Sequence, residues 1–215
     1  MIVQWCCKGV AKLDEATAVD ILGGGAGIRC RGWLELGAAA PLPLDRILGR
    51  LTESNLDLHV NHYSRRDPRT GKHFFEITPF ISLAAGVVDR EVTKQTNVTH
   101  GAFRTALEFA CTDYTDPRHP PCPGWIFVCY VLVGVRPAPT IPGVAEEIRE
   151  LKHLRPYSPW YLQGEVTAKV HVPSRQILYA TRWAPDSTGA LVETDVLLNQ
   201  AFTHPEALLD VREML

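Results

Sequence analysis

What this sequence has little of narrows the field first. No apolar run approaches the roughly 18 residues that a membrane-spanning helix needs. The longest, WIFVCYVLVGV, has the length of a buried strand. Excess charge is also missing: the net charge is −2, so no global attraction to nucleic acid or to an anionic membrane is expected. The local basic run YSRRDPRTGKH reads as a solvated hairpin tip, with a basic patch as the alternative. The six cysteines (Cys6, Cys7, Cys30, Cys111, Cys122, Cys129) form no CxxC and no Cys/His array, which argues against a zinc site. Their even number permits disulfides in an exported protein, and Cys129 sits in an apolar pattern as a small buried hydrophobe. The glycine run GGGAG, Gly23 to Gly27, has neither GxGxxG spacing nor a following Lys-Ser/Thr, so it reads as a turn and not as a phosphate loop. The opening MIVQWCCKGVAKLDEA lacks a charged segment followed by an apolar one, and no signal peptide is expected in the chain as given.

What is present is an ordinary globular balance, 46% hydrophobic and 21% charged, over 215 residues, which is enough for one sizeable domain. Helical spacing is expected over Ala11–Leu22, over Leu44–Leu58, over AEEIRELKHL and over the closing HPEALLDVREML. The clearest helix is HGAFRTALEFACT, with Phe103, Ala106, Leu107 and Ala110 as its stripe. Strands are expected at GIRCRGW, in FFEITPFISLAAGVV with a break at Pro79, and at GWIFVCYVLVGV, GEVTAKVHV, QILYATRWA and GALVETDVLL. Helices early and strands late, with no regular alternation, predict an α+β fold over a doubly wound one.

The stretch WYLQGEVTAKVHVPSRQILYA carries the chemistry. Gln163 and Glu165 stand two apart at the head of a β-branched strand, and alternate strand residues share a face. A carboxylate there can stabilise a developing cation, and an amide beside it can orient an incoming nucleophile. Upstream, in order, stand the arginines of GIRCRGW, the phrase NLDLHV, and the strand PFISLAA. Pro173 and Ile177 follow the Gln/Glu pair.

In that order the chain resembles the ADP-ribosyltransferase family of the arginine–serine–glutamate class, which includes bacterial toxins and the DNA-targeting pierisin and Scabin group. The resemblance covers about residues 28 to 183. It implies a split β-sandwich of mostly antiparallel strands with flanking helices, in a single domain. Residues 1–27 would be an N-terminal extension, 28–183 the core, and 184–215 a C-terminal strand and helix. It further implies NAD as a substrate, no metal, no membrane, a monomer, and a location either cytoplasmic or secreted. The acceptor would be a macromolecule, either a nucleic-acid base such as guanine or a protein side chain. Glu165, Gln163 and Ser82 would be catalytic. Arg31, or Arg29 on the same strand face, would clamp the pyrophosphate, with Ser82 and Phe80 beside it. Tyr157, Trp160, Tyr161 and Gln163 would form the wall that recognises the acceptor.

The sequence departs from the family pattern in one place: Ser82 is followed by Leu83 and Ala84 where a Ser-Thr-Ser triplet would stand. That departure favours one alternative, a non-catalytic binding module; a second, an NAD glycohydrolase, would use water as the acceptor. A further alternative replaces the arginine by histidine, with LHVNHY supplying His59, His62 and Tyr63.

Overall fold

The computed structural model describes residues 1–34, 40–68, 71–86, 101–134, 136–148 and 164–205. Its elements in chain order are β1 (Ile2–Ala11), α1 (Glu15–Leu22), β2 (Ile28–Arg29), α2 (Arg31–Leu34), α3 (Leu44–Leu48), α4 (Glu53–Asn61), α5 (Phe74–Ile77), β3 (Phe80–Ala84), α6 (Ala102–Cys111), β4 (Gly124–Val133), β5 (Glu165–Lys169), β6 (His171–Val172), a 3-10 turn (Ser174–Gln176), β7 (Ile177–Pro185) and β8 (Leu191–Leu198). Pairs β3–β5, β4–β7 and β7–β8 are antiparallel, so the chain is α+β with a mostly antiparallel sheet, as expected. The contacts divide it into two compact units.

One unit comprises Val3–Ile28, Phe103–Val131 and Val172–Leu215. Its strands run in the order β1-β4-β7-β8. Strand β1 lies in a stretch that the sequence reading left without an element. It ends at Lys12, whose φ of 57° turns the chain. Helix α1 therefore starts at Glu15 and not at Ala11, because Asp14 caps it by accepting from Thr17 N–H at 2.8 Å. In β4, Trp125, Ile126, Phe127, Cys129 and Tyr130 are all fully buried, as a strand covered on both faces requires.

Helix α6 lies against β1 and β4 through small residues. A Cβ at Gly9 would overlap Ala106 O, and one at Gly124 would overlap Ala110 O. Of the expected stripe, Ala106 and Ala110 are buried, while Phe103 is exposed and meets the Trp183 ring edge-on at 5.7 Å. Backbone this close leaves no room for a phenyl ring on the contact face.

The other unit comprises Met1–Ile2, Arg29–Ala102 and Leu132–His171. The apolar run from Leu44 forms two helices and not one. It breaks at Gly49, and Thr52 recaps the chain by accepting from Asn55 N–H at 3.1 Å. FFEI is a single helical turn where a strand was expected, held by His73 N–H donating to Glu76 Oε2 at 2.8 Å. The strand begins only after Pro79. Ala145 and Glu146, expected to open a helix, make strand-like bridges instead, to Val133 and Thr167. That expected helix from residue 149 on, and the C-terminal one from residue 206 on, lie outside the described residues.

Strand β5 is bound on both edges. Along one it pairs with β3, placing Ser82 opposite Thr167 and Ala84 opposite Glu165. Along the other, Thr167 exchanges both backbone bonds with Glu146, at 2.8 and 3.0 Å. All five β5 residues are therefore buried. The strand ends at Val170, whose φ is 62° and whose N–H donates to Pro79 O at 2.7 Å.

Candidate active site

Strand pairing assembles the site. Glu165 begins β5 directly after Gly164, whose φ is 69° and where a side chain would strike the Gly86 backbone. Only glycine fits there. The extended backbone starts at Glu165, and Gln163, Tyr157, Trp160 and Tyr161 lie outside the described residues. Glu165 is only 8% exposed, deeper than the mouth of a strand was expected to place it. One of its oxygens, Oε1, accepts from the Thr167 hydroxyl at 3.2 Å. His59 Nε2 stands 3.7 Å from the same oxygen.

His59 comes from α4, where it lies on the buried face with Leu56 and Val60. Its ring is bonded on both sides, with Nε2 at 3.0 Å from Ser82 Oγ and Nδ1 at 2.9 Å from Thr78 Oγ1. Phe80 is buried and packs its ring 5.5 Å from that of His59. The Tyr63 ring meets His59 edge-on at 5.4 Å. His62 is exposed at the end of α4.

The arginines differ from expectation. Strand β2 contains only Ile28 and Arg29, whereas Arg31 opens the helical turn α2, so the two do not share a strand face. The cause is Gly32, whose N–H donates to Thr78 O at 2.8 Å and whose Cα abuts the Ile77 and Thr78 carbonyls. Arg31 is exposed, with its guanidinium 5.9 Å from the Phe75 ring centre. Arg29 lies 5.0 Å over Trp33, and its buried Nε has no hydrogen-bond partner among the described residues.

Beneath the site, Lys169 and Glu146 form a fully buried ion pair at 2.6 Å. Lys169 also donates to Ala138 O and Ile141 O, at 2.5 and 3.0 Å, so all three of its protons are used. Burial draws its ammonium below the ordinary value, and Glu146 opposes that shift.

Glu165 and Ser82 were expected to be catalytic and His59 only to replace the arginine in an alternative; the fold brings the three together, with Thr78 and Thr167, which were missed. Thr167 was legible: it stands two residues after Glu165 on the same strand face. Thr78 was not, since it precedes Pro79 in irregular chain. Among the described residues no three His, Cys, Asp or Glu side chains cluster as metal ligands. No described helix is long and apolar enough to cross a membrane.

No protein-family model matches this sequence, and no curated protein matches it. Solved structures do. The chain is similar to EcPltA at 11% identity and a TM-score of 0.51, covering 94% of this chain and 89% of that one. It is also matched to an A-subunit mutant of heat-labile enterotoxin (12% identity, TM-score 0.42, covering 95% and 79%) and to nicked CARDS toxin (12% identity, TM-score 0.41, covering 94% and 31%). The likeness to EcPltA is one of fold. The chain has the α+β, ADP-ribosyltransferase-like fold that its motifs implied.

Proposed function

We propose that this chain is a mono-ADP-ribosyltransferase that moves ADP-ribose from NAD to a macromolecule and releases nicotinamide. The observation that carries this reading is the buried Glu165 carboxylate, held by Thr167 beside the His59–Ser82 pair. The chemistry follows from the residue types. The bond between the ribose C1′ and the nicotinamide nitrogen breaks, and the electron pair leaves with nicotinamide. Glu165 accepts a hydrogen bond from the ribose 2′-hydroxyl and stabilises the oxocarbenium-like transition state. The acceptor then bonds to C1′ and loses its proton.

Arg31 is assigned the pyrophosphate, since a planar and permanently charged fork suits paired phosphate oxygens. Arg29, whose buried Nε needs an acceptor, is the alternative. Phe80 supports the site by packing on His59. Gln163 and the aromatic residues Tyr157, Trp160 and Tyr161 are assigned to the acceptor, which we take to be a guanine base or a protein side chain. We take the chain as a monomer in a single domain, with no metal, acting in the cytoplasm or after secretion.

Incubation with NAD labelled in its adenine ring, alone and then with DNA, RNA or cell lysate, tests the reading. Transfer of label to a macromolecule is expected. Label found only in free ADP-ribose would mean a glycohydrolase, and intact NAD would mean a binding module. Loss of the neighbouring hydroxyls at Leu83 and Ala84 favours that last outcome. In the same assay Arg31→Ala is expected to weaken NAD binding more than Arg29→Ala. The opposite ranking would reassign the clamp to Arg29.

A further inference from the structure

Two hydroxyls and a histidine ring form one chain of hydrogen bonds, and its direction can be read. Phe80 N–H, which can only donate, gives its proton to Thr78 Oγ1 at 3.2 Å. Thr78 is 1% exposed, and the acceptor within reach of its own proton, among the described residues, is His59 Nδ1 at 2.9 Å. Were Nδ1 protonated, two N–H groups would converge on Thr78 Oγ1, and the hydroxyl proton would be left in a dry site with no acceptor. Thr78 therefore donates and Nδ1 accepts. Nε2 must then carry the ring proton, and the Glu165 carboxylate 3.7 Å away favours that placement. Nε2–H donates to Ser82 Oγ at 3.0 Å, and the Ser82 proton has no protein acceptor among the described residues.

We propose that Thr78 is a positioning residue: it holds His59 in the Nε2–H tautomer and thereby makes Ser82 a hydrogen-bond donor to a substrate oxygen. Its effect on turnover rests on the NAD-cleaving reading above, whereas the tautomer does not. Ser82 would then orient a ribose hydroxyl or a phosphate oxygen of NAD, besides bracing the strand. If the ring carried its proton on Nδ1, Ser82 would spend its proton on Nε2 and offer the substrate only lone pairs.

The test is a long-range proton–nitrogen NMR correlation on protein labelled with nitrogen-15 in histidine, recorded at about pH 8, above the ordinary histidine value of about 6.5. For His59 the expected spectrum has a bare Nδ1 and a protonated Nε2. Thr78→Val, which keeps the shape and removes the hydroxyl, should move the proton wholly or partly to Nδ1, and Thr78→Ser should restore the original pattern. A wild-type ring protonated at Nδ1, or at both nitrogens, would overturn the proposal. So would a Thr78→Val spectrum identical to wild type. Should Thr78→Val fail to fold, the wild-type spectrum still decides the tautomer, and Thr78→Ala takes its place. Nicotinamide release is expected to fall about tenfold in Thr78→Val and to recover in Thr78→Ser. The expected spectrum in a wild-type protein that releases no nicotinamide would sink the enzymatic reading and leave the tautomer standing.

Discussion

In the unit holding residues 29–102 and 132–171, the buried polar side chains bind one another. His59, Thr78, Glu165 and Thr167 form one cluster with Ser82, and Glu146 forms a second with Lys169 at the other end of β5. In the other unit Asn199 and Ser174 serve the backbone instead. Asn199 donates to Ser174 O and Ile177 O at 2.8 and 2.6 Å, and Ser174 donates to Leu22 O. Its strands β1 and β4 meet helix α6 through small residues at Gly9, Gly124, Ala106 and Ala110. A polar cluster in a dry interior costs stability unless every member is satisfied, so it is kept where chemistry needs it. The first unit concentrates bonds between polar side chains, and the second packs helix on strand through small residues.

The sharpest way to break that contrast is Glu165→Gln, which removes a charge and almost no volume. Nicotinamide release is expected to fall by about two to four decades while the unfolding midpoint moves little. Equal loss of fold and activity would make Glu165 a packing group. Next in size is the ion pair. Lys169→Met should lower stability by about 3–5 kcal/mol in denaturant unfolding, because Glu146 is left charged and buried. The double variant Lys169→Met/Glu146→Leu should recover most of that, since well-packed apolar residues often replace a buried pair at little cost. If the single and double variants are equally unstable, the lost bonds to Ala138 O and Ile141 O, and not the stranded Glu146 charge, cause the loss.

In the packing unit, Gly124→Ala should cost about 1–3 kcal/mol by overpacking, with nicotinamide release measured below the new midpoint unchanged. A drop in turnover without loss of stability would erase the distinction between the units. The smallest effect concerns Asp113, which lies at the end of α6 and binds Lys12. The Lys12 ammonium and the Thr115 hydroxyl depress its carboxyl from 3.8 to about 2. A depressed carboxyl contributes stability above its unfolded value and loses it as pH falls through the folded one. The Tm gap between wild type and Asp113→Asn should therefore be full at neutral pH and close between about pH 4 and pH 2. A gap that persists at pH 2 would show that the ionised carboxylate is not its cause.

Particular elements show where sequence reasoning reached and where it stopped. The fully apolar β4, the turn at GGGAG, and the strands β7 and β8 are all legible, because each depends on its own residues. Strand β1 was passed over. Its IVQWCCKGVA carries weak alternation, and it becomes a strand by pairing within a sheet. The division of GIRCRGW into β2 and α2 was equally hidden, since it depends on Thr78 O meeting Gly32 N–H from 46 positions away in the chain.

The site divides in the same way. Local order along the chain marked Glu165 and Ser82, and spacing alone would have marked Thr167. Which groups touch was set by pairing: β3 against β5 puts Ser82 opposite Thr167, and α4 brings His59 between Thr78 and Ser82. Residue types and their order thus determined by themselves the fold class, and they singled out Glu165 as the candidate carboxylate. Only the tertiary structure decided that Glu165 is buried, that a histidine joins it, and which hydroxyls face which nitrogen. Hydrogen bonds between distant segments act over about 3 Å, and no local pattern in the chain encodes a distance that folding alone creates.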